Sequence, residues 1–303
     1  MNDYFIKNIE IENYKCFKNF KADGFKRVNL IGGKNNSGKT AFMEACFINI
    51  HLNTSRALAS FITTRYQIDL YSKLFVEVGI KYIYNFLHNE AKKYQNYSLE
   101  TNIIKKTIQY NEDDILIEND NTFFIDSIKT STKLLEKYYS KIIENRLENK
   151  IDEFVNKFDS SLDSFRIISS EAKCSLKTDG KFYNINEFGD GLHKYVTFIC
   201  LLYGIKNTVV FIDEMENGIH YSQFDDLWNI ILTISKERNI QIFITTHSKE
   251  LIDSYNRITK KLNDKDTSFI EFGKDKDNNI KANVMDFEEF NRNIEIGNGV
   301  RGW

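Results

Sequence analysis

The chain has 303 residues, 42% of them hydrophobic and 28% charged, with a formal net charge of −2. That is ample apolar matter for a buried core; with no apolar run near the roughly 18 residues of a membrane span, an integral membrane protein is not expected. The small net charge argues against wholesale nucleic-acid binding. Four scattered cysteines (Cys16, Cys46, Cys174, Cys200), no Cys-x-x-Cys pair and no basic-then-apolar leader in MNDYFIKNIE predict buried free thiols in a cytoplasmic protein.

In chain order, Ile9 and Ile11 alternate with charges and predict an edge strand. Val28–Ile31 predicts a second strand, running into a glycine-rich turn and a helix from about Lys39 to Ile50. Thr64 to Tyr94 is spaced as a helix, and Leu99–Ile125 alternates as short antiparallel strands would. Leu135, Tyr138, Ile142, Leu147, Ile151, Val155 and Phe158 mark one face of a single helix over Ser131–Phe158, about 40 Å long. Strand-like pieces follow at Phe165–Ser169 and Cys174–Tyr183. The last third alternates: helix Leu192–Ile205, strand Thr208–Ile212, helix Ser222–Lys236, strand Ile240–Thr246, helix Lys249–Arg257. Such alternation implies an α/β fold with a mostly parallel sheet covered by helices. A hairpin of Phe269–Phe272 and Ile280–Met285 ends the chain, with Asp275-Lys276-Asp277 in its turn.

GKNNSGKT, Gly33 to Thr40, fits G-x4-G-K-[ST] between a predicted strand and helix. Gly33 and Gly38 let the loop close around phosphate oxygens, and Asn35, Asn36, Ser37, Lys39 and Thr40 complete a nucleotide-binding set. Inward N–H groups and the helix N-terminus supply positive potential. Lys39 would reach the β- and γ-phosphates, and the Thr40 hydroxyl would hold Mg²⁺.

TVVFIDEMENGIH ends a fully apolar strand in Asp213-Glu214. An acid at the carboxyl end of a buried parallel strand lies at the ligand-binding edge. Asp213 suits the Mg²⁺ shell, and Glu214 suits orientation and deprotonation of the attacking water. One strand later, QIFITTHSKEL puts His247 in position to contact the γ-phosphate or that water. NKFD, Asn156 to Asp159, copies a guanine-specifying motif but ends a helix instead of following a strand, so GTP specificity is not expected.

NEFGDGLHKYV puts Gly189, Asp190 and Gly191 at the start of a helix. Exposed N–H groups there would make an anion site; a helix cap by Asp190 accounts for the residues nearly as well.

The order GKNNSGKT, FGDGLHKYV, VVFIDEMENGIH, ITTHS resembles the ABC-type P-loop ATPase heads of the RecF and SMC group. It is most similar to stand-alone OLD-like AAA family ATPases of bacterial defence and repair systems. The resemblance implies one ABC-type ATPase domain over 1–303: N-terminal strands, P-loop and first helix (1–50), a helical and antiparallel β insertion (51–160), the signature, Walker B and His-switch lobe (161–260), and a C-terminal hairpin and tail (261–303). It implies ATP and Mg²⁺, with Gly189–Gly191 as a signature turn closing over the γ-phosphate of a second copy, so a homodimer. Glu216, Asn217 and Gly218 would face that copy. The Mg²⁺-sensing glutamine of ABC heads has Gln67 as its nearest counterpart. Departures matter too. The signature is not Leu-Ser-Gly-Gly-Gln, which disfavours a transporter, and no coiled-coil arm is present. The 56 residues after His247 (303 − 247) are too short for the Toprim nuclease of some relatives.

The expected function is thus Mg²⁺-dependent ATP hydrolysis driving dimerisation, a switch acting on an effector nuclease or toxin. The alternative is a RecF-like clamp closing on DNA. A small-molecule kinase would leave His247 and the glycine turn without a role.

Overall fold

A computed structural model describes residues 5–50, 97–102, 105–108, 123–125 and 132–297. The predicted helix over Thr64–Tyr94 lies outside these, as does Gln67.

Ile9 and Ile11 are fully buried on β1 (Asn8–Tyr14), which pairs antiparallel with β2 (Phe17–Asp23). β3 (Val28–Gly33) is buried at every position and leads through the glycine-rich loop into α1 (Lys39–Ile50). β4 (Tyr97–Thr101) and β5 (Lys105–Ile108) add to β1, giving a four-stranded sheet of order β2-β1-β4-β5. β1 is therefore an interior strand, paired on both sides, and not the edge strand its sequence predicts; its second partner comes from about ninety positions downstream. β6 (Phe123–Ile125) corrects the other expectation for this stretch: it pairs in parallel within the main sheet.

The single helix predicted over Ser131–Phe158 is two, α2 (Thr132–Glu144) and α3 (Glu148–Phe158). Arg146 takes a left-handed φ of 56°. The Leu147 N–H donates to the Ile142 carbonyl and the Arg146 N–H to that of Ile143, both at 3.0 Å. This pair of bonds is the Schellman closure of a helix, with arginine in the place glycine usually takes. Cys174–Tyr183 likewise resolves into two strands: β7 (Leu162–Ile168), β8 (Glu171–Leu176) and β9 (Phe182–Asn184) form a three-stranded antiparallel sheet.

The final third follows the predicted alternation. α4 (Asp190–Gly204), β10 (Thr208–Ile212), α5 (Phe224–Arg238), β11 (Ile240–Thr245) and α6 (Lys249–Leu262) lead to the hairpin of β12 (Thr267–Lys274) and β13 (Ile280–Asp286), then α7 (Phe287–Glu295). Helix ends are chemically marked. Ser248 caps α6 by accepting from the Leu251 N–H, Asp286 caps α7 by accepting from the Glu289 N–H, and Asn239 and Asn263 close α5 and α6 in the left-handed region. Asp275, in the hairpin turn, accepts from the Asp277 and Asn279 N–H groups, a turn-closing role.

The main sheet runs β13-β12-β3-β11-β10-β6, parallel except for β13 at one edge. Its central strands are mostly apolar, without alternation, because both faces are covered; Asn29 and Gln241 are buried polar exceptions. Val210, Ile212, Ile242 and Ile244 point to one face, packed by α4, α5 and α6; Phe211, Phe243, Ile31 and Phe272 point to the other, where α1 and the β1–β2 hairpin cover them. Each such side chain contributes about 2 kcal/mol of burial. β3 lies between β11 and β12, so the glycine-rich loop leaves the sheet beside the carboxyl ends of β11 and β10. Three of the four cysteines are buried, as expected; Cys16, in the β1–β2 turn, is exposed.

Candidate functional site

The loop Gly33–Thr40 obtains its curvature from backbone conformations that few side chains tolerate. Gly33 has φ 142°, Asn36 59° and Gly38 96°. A Cβ on Gly33 would lie 2.8 Å from the Phe272 carbonyl oxygen, so the loop is pressed against β12. Asn35 and Asn36 are exposed, whereas Ser37 is buried. Lys39 opens α1 with 5% exposure, its ammonium donating to the carbonyls of Gly33 (3.0 Å) and Lys34 (2.8 Å). Burial pulls its pKa down to about 8, against the pull of Asp213, Glu214 and Glu216, which favour the charged form. The result is a cation at the centre of a ring of backbone groups, a cradle for a polyphosphate.

Asp213 follows β10 and meets the loop. The Thr40 hydroxyl stands 3.2 Å from Oδ2 and 3.5 Å from Oδ1 of its carboxylate, across 173 positions of sequence. Thr245, the last residue of β11, donates its hydroxyl to Asp213 Oδ1 and accepts the Glu214 N–H at 2.8 Å. Thr245 is thus the bracket that fixes both acids, a role its place in ITTHS could have suggested but composition could not. Among the described residues no three carboxylate, histidine or cysteine side chains cluster as a metal cage. One hydroxyl and one carboxylate oxygen side by side suit a hard cation completed by phosphate oxygens and water, so these residues fit Mg²⁺.

Glu214, partly exposed, adopts φ 49°. Its Oε1 lies 3.9 Å from His247 Nε2. The His247 N–H donates to Glu216 Oε1 at 2.6 Å. The imidazole pKa is lowered, first by burial and then by Lys39, with Glu216, Glu214 and Asp213 opposing. A neutral ring at neutral pH can accept or donate at Nε2. Glu216 was expected to face a second copy; here its carboxylate is turned inward on His247.

The turn Gly189–Gly191 packs against the Gly218 turn. A Cβ on Gly191 would lie 3.1 Å from the Gly218 carbonyl oxygen and 3.6 Å from the Phe158 ring. The cap of α4 is Gly189 (φ 90°), with no side-chain cap bond; Asp190 is the first helical residue, so the reading of Asp190 as the cap is incorrect. The capping chemistry sits just upstream, where Asn184 and Glu187 make a reciprocal box around the 3-10 turn Ile185–Phe188. No side chain caps the N–H groups opening α4, and Gly189 beside them is exposed. In NKFD, the Asn156 amide donates to the Leu162 carbonyl and Phe158 packs on Tyr195, both structural tasks.

Residues 84–253 match a family model described as "AAA domain, putative AbiEii toxin, Type IV TA system". The span includes Asp213, Glu214 and His247 and begins after the loop Gly33–Thr40. An "ATP/GTP phosphatase" of Helicobacter pylori is 24% identical, over 84% of this chain and 88% of its own length. Among solved structures, an Smc head bound to the C-terminal winged-helix domain of ScpA superposes with a TM-score of 0.56 at 12% identity, covering 94% of this chain and 98% of that one. CbiO1 of Clostridium perfringens, part of an ABC transporter complex, gives 0.50 at 13%, covering 96% and 93%. The fold is that of an ABC-type P-loop ATPase head.

Proposed function

We propose, from the premise that the chain belongs to this AAA-domain family, that it is an ATP hydrolase working as a nucleotide-driven switch. The observation that carries the reading is the meeting of Thr40 with Asp213 at 3.2 Å, which joins the phosphate cradle to the acids of β10. Lys39 and the loop N–H groups bind the β- and γ-phosphates. Thr40 and Asp213 would hold Mg²⁺, whose chemistry is to neutralise charge on the phosphate oxygens. Glu214 takes a proton from water as the water oxygen bonds to the γ-phosphorus and the bond to the β-phosphate oxygen breaks. The products are ADP and inorganic phosphate, and His247 contacts the transferred group. The motif order is similar to that of OLD-like defence ATPases.

Gly189–Gly191 would meet the γ-phosphate held by a second copy. Two observations support this: the turn packs against the Gly218 turn, and its N–H groups are not capped by a side chain. Hydrolysis would then separate the copies. The match to a family described as a putative toxin favours a defence role, with an effector nuclease or toxin as partner, over a DNA clamp. Among the described residues no helix is long and apolar enough to cross a membrane.

The test is phosphate release from ATP and Mg²⁺ without any added acceptor. The wild-type chain should turn over, and Lys39→Ala should lose at least a hundredfold, the loss of a charged phosphate contact in a low-dielectric site (about 3 kcal/mol). Turnover only when a phosphate acceptor is supplied would replace the switch by a kinase.

A further inference from the structure

The Glu214 carboxylate has its two oxygens in different hands. Oε2 accepts a hydrogen bond from the side-chain amide of Asn217 at 2.7 Å. Oε1 faces His247, 3.9 Å from Nε2. Asn217 also sends its N–H to the Glu214 carbonyl at 3.1 Å, so one residue braces the other through backbone and side chain together. Glu214 needs the support, since a φ of 49° is unfavourable for a residue with a Cβ.

Asn217 is in turn held from the far side. Its carbonyl accepts from the ammonium of Lys194, one turn into α4. The stem of Lys194 runs over Gly218, with Nζ and Cε 3.1 and 3.3 Å from where a Cβ would stand. Gly218 has φ 77° and returns the contact by placing its carbonyl 3.1 Å from the missing Cβ of Gly191. The glycine turn opening α4 and the turn carrying Asn217 are therefore interlocked within one chain.

We propose that Asn217 is a positioning residue that sets the rotamer of Glu214 and ties it, through Lys194, to the glycine turn at Gly189–Gly191. The proposal rests on Glu214 being the base in the reading above. A partly exposed glutamate has several rotamers of similar energy. A charge-assisted bond to one oxygen selects the rotamer that turns the other towards the imidazole, where the attacking water would lie. Movement of the glycine turn against a second copy would reach Glu214 by way of Lys194 and the Asn217 carbonyl.

The experiment is steady-state ATP hydrolysis by Asn217→Ala, Asn217→Asp, Lys194→Met and the Asn217→Ala/Lys194→Met double variant, with KM for ATP and the thermal midpoint of each. Asn217→Asp keeps the shape and removes the donor. Both Asn217 variants should lose about tenfold in kcat, the factor for one hydrogen bond to a charged group. KM and the thermal midpoint should stay at wild-type values. Lys194→Met should lower kcat in the wild-type background and have no further effect in Asn217→Ala. An Asn217→Ala or Asn217→Asp chain with wild-type kcat, a loss of kcat that tracks a lowered thermal midpoint, or additive losses in the double variant would overturn the proposal. If the wild-type chain itself releases no phosphate, the ATPase reading fails instead.

Discussion

Lys39 is the residue whose physics is most exposed to measurement. Its amine, buried in the cradle, titrates at about 8, well below the ordinary lysine range. A polyphosphate favours the charged form, so binding raises the pKa and takes up a proton. Affinity for ATP should therefore be highest below pH 8 and weaken between pH 8 and 9.5, by at most tenfold per unit. Calorimetry at pH 8 in buffers of different ionisation enthalpy should show uptake of about half a proton per nucleotide; no uptake would mean Lys39 is fully charged before binding. Lys39, Thr40, Asp213, Glu214 and His247, the residues proposed for the site, all stand at the ends of strands or in the glycine-rich loop of the sequence, and the structure brings Thr40 to Asp213 and Glu214 to His247. Spacing alone does not give Thr245 and Glu216 their partners, which are set by where β10 and β11 end relative to one another. Asn217 bonds Glu214 three residues away, a local contact that no motif marks.

At the scale of elements, alternation and helical spacing located most helices and strands to within a few residues, and the breaks were the hard part. Ile142 and Ile151 keep their places on a common apolar stripe across the α2–α3 turn, so periodicity runs on where the helix does not. The stop is made by Arg146, a residue that ordinarily continues helices. Because Arg146 sits at a left-handed position in a Schellman closure, Arg146→Gly should stabilise the chain by about 0.5–1 kcal/mol, strain relief outweighing the added freedom of the unfolded chain. The urea midpoint should rise with an unchanged slope; a lower midpoint would show that the arginine side chain matters more than its backbone. β6 was misread for a related reason: a three-residue apolar strand looks the same in a parallel as in an antiparallel pair.

For the whole molecule, the mostly apolar strands β3, β10 and β11 announced a sheet buried on both faces, and the two core clusters on either side of it bear that out. Hidden from sequence was the pairing of β1 with β4, a contact over some ninety positions, and with it the way the β1–β2 hairpin closes over the same face as α1. The glycine turn opening α4 packs against the Gly218 turn and carries no side-chain cap. We propose that a second copy presents this turn to the phosphate held in the cradle. Light scattering of Glu214→Gln with ATP and Mg²⁺ tests it most directly, since binding is kept while turnover is blocked. The variant should pass from monomer mass to twice that mass when ATP is added and return when ATP is removed. A variant that binds ATP and stays at monomer mass over the whole concentration range would rule out the second copy.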